Sequence, residues 1–153
     1  MIKIMKKIIA LLVIGLLAVN LHAQTAKVAP DPKLIEAFGT EQVNQWLKSK
    51  PDTILYLNTL VTEGFKVELY PEEKMVRFES VPIFTLKSKF AKEQQNFTDA
   101  NVETLFSKVN VLKYDFTIDP LQITFYRLGD SNHIIIFYSD QQIKEIMNQK
   151  NNK

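Results

Sequence analysis

The hydrophobic residues of this chain are spaced in three different ways. Near the N-terminus they are not spaced at all: Ile8 to Val19 is one apolar run, with Lys3, Lys6 and Lys7 before it and the short polar stretch Asn20 to Gln24 after it. From Asp31 the apolar positions recur with a helical period. Asp31 is an N-cap residue followed by Pro32 at the first helical position, Leu34, Ile35 and Phe38 form one stripe, and Gly39 closes the turn. Thr40 is expected to cap a second helix with Val43, Trp46 and Leu47 on its buried face, ending at Lys48, Lys50 and Pro51. Asp52 restarts the pattern, Ile54, Leu57, Leu60 and Val61 make a third stripe, and Gly64 is a natural stop.

At Phe65 the period changes to 2. Phe65, Val67 and Leu69 alternate with Lys66 and Glu68, and the cluster Pro71, Glu72, Glu73 predicts a turn into a second strand around Met75 to Glu79, together a hairpin. A third short strand is expected around Ile83 to Leu86, where Pro82 confines its start to an edge or an irregular position. Lys87 to Asn96 is polar and predicts a loop. Thr98 or Asp99 then caps a helix with Val102, Leu105, Phe106 and Val109 at i, i+3, i+4 and i+7, the clearest amphipathic pattern of the chain and one suited to packing on a sheet. Three strands are expected next: Leu112, Tyr114, Phe116 and Ile118 alternate with polar residues, and after a turn at Asp119-Pro120 so do Leu121, Ile123 and Phe125. Beyond the turn Gly129 to Asn132, the run Ile134 to Phe137 lacks polar alternation, which predicts an inner strand covered on both faces. A final helix from Asp140 carries Ile143, Ile146 and Met147 on one side.

Strands in meanders, with helices before, between and after them, argue for an α+β fold: N-terminal helices, a mainly antiparallel sheet packed by a central amphipathic helix, and a C-terminal helix. The expected organisation is a signal peptide over residues 1–23, a flexible leader over 24–30, a single α+β domain over 31–148 and a polar tail over 149–153. The apolar run of 12 residues from Ile8 to Val19 has signal-peptide length. As a helix it would cross about 18 Å of a hydrocarbon core roughly 30 Å thick, so no membrane span is expected after cleavage behind Ala23.

Composition sharpens this picture. The three lysines of the signal account for the formal charge of +2: without them 16 of the 19 basic residues remain against 17 acids, a net charge of −1. A domain of that charge with two arginines, Arg77 and Arg127, and dispersed lysines has no basic stripe, and no nucleic-acid partner is expected. The chain contains no cysteine, which excludes disulfides, thiol nucleophiles, cysteine-ligated metals and a lipidated N-terminal cysteine. About 130 residues can bury roughly two-thirds of their unfolded surface without a staple.

No constellation in the chain announces a reaction. His133 lies beside Asp130 and Ser131, but a triad needs three groups converging in line with an oxyanion hole, and residues this close in a turn spend their side chains on local hydrogen bonds. The close carboxylates Asp115 and Asp119, Glu72 and Glu73, and Asp130 and Asp140 have the spacing of turn and surface acids. No calcium loop, phosphate-binding loop or dinucleotide fingerprint is present, and no catalytic residue, metal or cofactor is expected. Tyrosine, tryptophan and arginine anchor interfaces. Tyr56, Tyr70, Tyr114, Tyr126, Tyr138, Trp46 and Arg127 include residues expected at the core margin; Trp46 has core spacing, and the candidate interaction surface is Tyr126, Arg127, Tyr138 and Tyr70, with Tyr126 and Arg127 on opposite faces of one strand.

The signal ending His22-Ala23-Gln24, the segment Asp31 to Gly39, Trp46, Asp52 and Tyr56-Leu57-Asn58 resemble small exported proteins of unknown function from Bacteroidota. The resemblance covers about the N-terminal half. It implies a periplasmic or extracellular location and supplies neither an activity nor site residues. The expected function is that of a non-enzymatic envelope accessory or protein-interaction module with an envelope protein as partner. The alternatives are a binder of an apolar or aromatic small molecule and, third, a hydrolase.

Overall fold

The computed structural model describes residues 28–93 and 96–151, Asn151 through its backbone alone. The expected signal peptide and residues 24–27 of the expected leader lie outside them, as does the end of the tail. Helix α1, Pro32–Phe38, starts where the Asp31 carboxylate accepts the Lys33 N–H at 2.9 Å, and it stops at Gly39, whose φ of +86° no side chain adopts cheaply. Leu34 and Ala37 are its buried pair, and Ile35, about 100° around the helix from Leu34, is exposed rather than part of the stripe. Gly39, not Thr40, takes the N-cap place of α2, Thr40–Ser49, because its C=O accepts from Val43 N–H across the junction. Helix α3, Pro51–Glu63, buries Ile54, Thr59, Leu60 and Val61. The buried Thr59 hydroxyl donates to Leu55 C=O, so it costs no unmet polar group. Ahead of α1 the Asn58 side chain donates to Ala29 C=O and accepts from Asp31 N–H, both at 2.8 Å, and Val28 packs on the core.

The sheet has three strands, β1 (Phe65–Leu69), β2 (Thr124–Arg127) and β3 (His133–Phe137), in the order β1-β3-β2 with both pairings antiparallel. The fold class is α+β. Strand β3 is central and buried at every position, in line with its unbroken apolar run. The register Phe65↔Phe137 and Thr124↔Phe137 places Phe65, Val67, Leu69, His133, Ile135, Phe137, Thr124 and Tyr126 on the face toward the main core. Lys66, Glu68, Ile134, Ile136, Phe125 and Arg127 occupy the other face. Helix α6, Asp140–Asn151, buries Ile143 and runs along α3, with Lys150 paired to Glu63.

The expected hairpin from β1 into Met75–Glu79 does not form. That stretch is a one-turn helix α4, Glu72–Met75, continued by a 3-10 turn, Val76–Phe78. β3 takes the place beside β1, and the segment instead crosses the back of the sheet. The Phe78 ring lies 4.7 Å from Tyr70 and 6.2 Å from Phe125, reaching from the β1 side to the β2 side over β3, where Ile134 and Ile136 are buried. Ile83–Leu86 likewise forms no strand: it makes two isolated bridges, Ile83 with Arg127 and Leu86 with Tyr114. The expected loop from Lys87 contains a 3-10 segment, Ser88–Glu93.

Helix α5 is shorter than its pattern, Val102–Phe106, with Phe106 5.8 Å from Phe65 of β1. The expected strand Leu112–Ile118 is also absent. Val111–Lys113 is a 3-10 turn, and the residues beyond it pack as extended chain: Tyr114 stacks on Phe84 at 4.2 Å and Phe116 on Phe137 at 4.3 Å. Ring stacking, rather than a ladder, accounts for the alternation there. The next strand starts at Thr124, since Leu121 is 75% exposed in the turn, where the Asp119 carboxylate accepts the N–H groups of Leu121 and Gln122. Gly129, at φ +57°, closes the β2–β3 hairpin so near Phe97 that a Cβ would lie 2.8 Å from its carbonyl oxygen.

Candidate functional site

The four residues expected at an interaction surface do not form one surface. Tyr126 points into the main core, its ring edge-on to Phe137 and its hydroxyl accepting from Thr117 N–H at 2.8 Å. Arg127, Tyr138 and Tyr70 belong to the back face. Arg127 Nε donates to Val81 C=O at 3.1 Å, and the half-buried Tyr138 extends the ladder through its N–H to Gly64 C=O. The Tyr70 hydroxyl donates to Glu68 Oε2 at 2.7 Å, and Lys66 Nζ lies 2.5 Å from Glu68 Oε1, so these three make one row along the back of β1. Lys66 and then Tyr70 hold the Glu68 carboxyl below the usual carboxylate range.

The ladder ends of β1 reveal a feature that residue types do not. Tyr70 N–H donates to Asn132 C=O and Tyr138 N–H to Gly64 C=O, each at 2.9 Å and in the same register as the strand pairs. In an antiparallel pair the hydrogen-bonded residues alternate, so Gly64, Lys66, Glu68 and Tyr70 turn their main-chain groups to β3. Phe65, Val67 and Leu69 turn theirs outward, and among the described residues none hydrogen-bonds to them. The opposite edge differs. Arg127 of β2 turns outward as well, but its N–H donates to Pro82 C=O and its C=O accepts from Phe84 N–H.

Beside the open edge lies a groove of about 340 Å³, lined by Val67 and Leu69 of β1, Val102, Glu103 and Phe106 of α5, the following Ser107, and His133 of β3. Its walls are mainly apolar, and Leu69 remains 65% exposed at its rim. The His133 ring is buried and its Nδ1 stands 3.3 Å from Asp99 Oδ1. The acid at the ring is thus Asp99, 34 positions away, and not Asp130. Ser131 Oγ donates to Leu128 C=O and accepts the His133 backbone N–H, so it serves the turn rather than the imidazole. Asp99 also accepts from the backbone N–H and the side-chain amide of Asn132, which fixes the loop before α5 to the β2–β3 turn.

A second polar cluster lies on the far side of the core. Lys113, which alternation placed on a wet face, is buried, and its ammonium lies 2.6 Å from both Glu36 Oε1 and Glu93 Oε2. Burial alone would pull this ammonium's pKa down. The hydrogen bonds to Glu36 and Glu93 outweigh it and hold Lys113 above the ordinary lysine value, while the same lysine, with Asn110, holds Glu36 below the usual carboxylate range. A charged, doubly paired lysine ties α1 and the 88–93 segment to the turn at 111–113; it has no free lone pair for nucleophilic chemistry. A smaller cavity of about 270 Å³ between Phe84, Phe97 and Tyr114 carries no titratable pair.

No family model, curated protein or solved structure matches the chain. Among the described residues no helix is long and apolar enough to cross a membrane, and no three potential metal ligands gather.

Proposed function

We propose that the protein is an exported, non-enzymatic interaction module that works through the open edge of β1 and the groove beside it. One observation carries this reading: the outward main-chain groups of Phe65, Val67 and Leu69 meet no described partner, and they border an apolar groove. An edge strand of that kind receives another extended chain, main-chain hydrogen bonds supplying affinity and the groove selecting side chains. Export is supported by the lysine-flanked apolar run and by the resemblance to small exported proteins of Bacteroidota. Cross-linking and mass spectrometry of tagged wild-type and Leu69→Pro protein from the native envelope test the reading. A protein recovered in stoichiometric amount with the wild type and lost with the variant is expected; equal recovery with both would overturn it. Fractionation with N-terminal sequencing is expected to find a periplasmic or extracellular chain beginning at Gln24.

A second reading, a binder of an apolar small molecule, is favoured by the volume of the groove, which falls in the range of about 300–1,000 Å³ typical of ligand sites. Its lining holds neither Tyr nor Arg. Filling the groove from its exposed rim with Ser107→Trp would abolish a thermal stabilisation by apolar ligands if this reading held.

A further inference from the structure

We propose that the occupant of the open edge is a second copy of this chain, the two β1 strands pairing antiparallel about Val67. This rests on the reading of the edge as the working surface and names its partner. The strand Phe65-Lys66-Val67-Glu68-Leu69 is complementary to its own reverse. With Val67 opposite Val67 of the second copy, Phe65 faces Leu69, Lys66 faces Glu68, and the same holds in the other direction. Phe65, Val67 and Leu69 are the residues whose N–H and C=O groups point outward, so every outward group of one strand meets one of the other, three donors from each.

Lys66 and Glu68 fall at the non-hydrogen-bonded positions, where side chains of an antiparallel pair stand closest and opposite charges gain most. The neighbouring in-phase registers are penalised. Centring the pair on Lys66 sets lysine against lysine, and centring it on Glu68 sets glutamate against glutamate. A slip by a single residue turns the apolar row to the wrong face. Charge, main-chain register and apolar face thus select one alignment, and it is two-fold symmetric, as a dimer interface requires. Leu69, 65% exposed at the groove rim, is covered by the second copy's Phe65 in this arrangement. Five-residue strands bury far less than the roughly 1,200 Å² of a standard interface, so the dimer is weak and concentration-dependent.

Analytical ultracentrifugation of the purified mature protein over a concentration series tests the pairing, with far-UV circular dichroism to confirm that each variant folds. Wild type is expected to show a reversible monomer–dimer equilibrium. Lys66→Glu and Glu68→Lys each replace both attractive cross-strand pairs by repulsive ones and are expected to weaken dimerisation about tenfold or more. An equimolar mixture of the two variants restores opposite charges and is expected to recover dimers that neither forms alone. Leu69→Pro, which removes one outward donor per copy, is expected to be monomeric. A wild type that stays monomeric at its highest soluble concentration would overturn the inference, as would a dimer indifferent to the charge reversals or to Leu69→Pro. If the monomeric wild type still captured an envelope protein that Leu69→Pro loses, the self-pairing would fail while the interaction-module reading stood; capture indifferent to Leu69→Pro would remove the latter.

Discussion

Along β2 the sheet ends against Pro82–Phe84, whose main chain takes up both groups of Arg127, whereas along β1 the groups of Phe65, Val67 and Leu69 face no described residue. The closed edge is tied down further. Leu86 bridges to Tyr114, Lys87 N–H donates to Lys113 C=O, and the Lys113 ammonium reaches Glu93 at the end of the same strap. Among the described residues the open edge has its shortness and the charges of Lys66 and Glu68 to discourage indiscriminate pairing. One edge is sealed by the main chain of Pro82–Phe84, and the other meets no described residue beside a groove; the proposed association rests on that difference.

The contrast breaks most severely at the strap. Phe84→Ala removes a ring that is 3% exposed and is expected to cost about 3–5 kcal/mol in urea unfolding, enough to release the closed edge. Proline scanning of β1 sharpens the contrast next. Glu68→Pro deletes an N–H aimed at β3 and is expected to cost about 3 kcal/mol, while Leu69→Pro, whose N–H points outward, is expected to cost about 1 kcal/mol or less. Equal losses would mean that the edge is not where the ladder geometry places it.

Lys113→Met should follow with about 1–3 kcal/mol, because it removes a charged hydrogen-bonding partner held inside the strap. The Glu36 carboxyl is depressed in the folded state, so its contribution is present above the unfolded carboxyl pKa and lost as the pH falls through the folded one. The difference between wild type and Lys113→Met therefore narrows on acidification. The smallest effect is expected far from either edge. Burial, with the carboxylate of Asp140, pushes the Tyr56 phenol up to about 12. The folded state thus holds that proton more tightly than the unfolded chain, and stability falls as the pH rises from about 10 to about 12. Tyr56→Phe is expected to flatten that decline in pH-dependent thermal melts.

Helices α1 to α3 and two of the strands were legible because single residues mark them, whereas α4 stands where a turn into a strand was expected. Asp31-Pro32, Gly39, Pro51 and Gly64 punctuate α1 to α3, alternation marks β1, and the uninterrupted Ile134–Phe137 marks the central strand. Alternation misled where half-burial has another cause. Tyr114 and Phe116 face inward because they stack on Phe84 and Phe137, with a single bridge to Leu86 in place of a strand pairing, and Phe78 does so because it covers the back of β3. The period of 2 also separated Tyr126 from Arg127 correctly, yet it could not say which face was core. The site depends on contacts between distant positions. Asp99 meets His133 only through the fold, and the openness of β1 appears only once β3, rather than Met75–Glu79, is known to be its neighbour.

The order of the strands has a kinetic consequence. Arg127 and Ile134, a pair of the β2–β3 hairpin, are 7 positions apart (134 less 127), whereas Leu69 and His133 are 64 apart (133 less 69). Closing the longer loop costs about 2 kcal/mol more chain entropy. The hairpin is therefore expected to nucleate first and β1 to dock late, which makes the strand with the unsealed edge also the last to arrive during refolding. While it is absent, one flank of β3 stands vacant, and at high protein concentration a β1 from another molecule is expected to compete there with the chain's own, tethered strand. At high protein concentration, the refolding rate and the yield of strand-exchanged species are set by the same step.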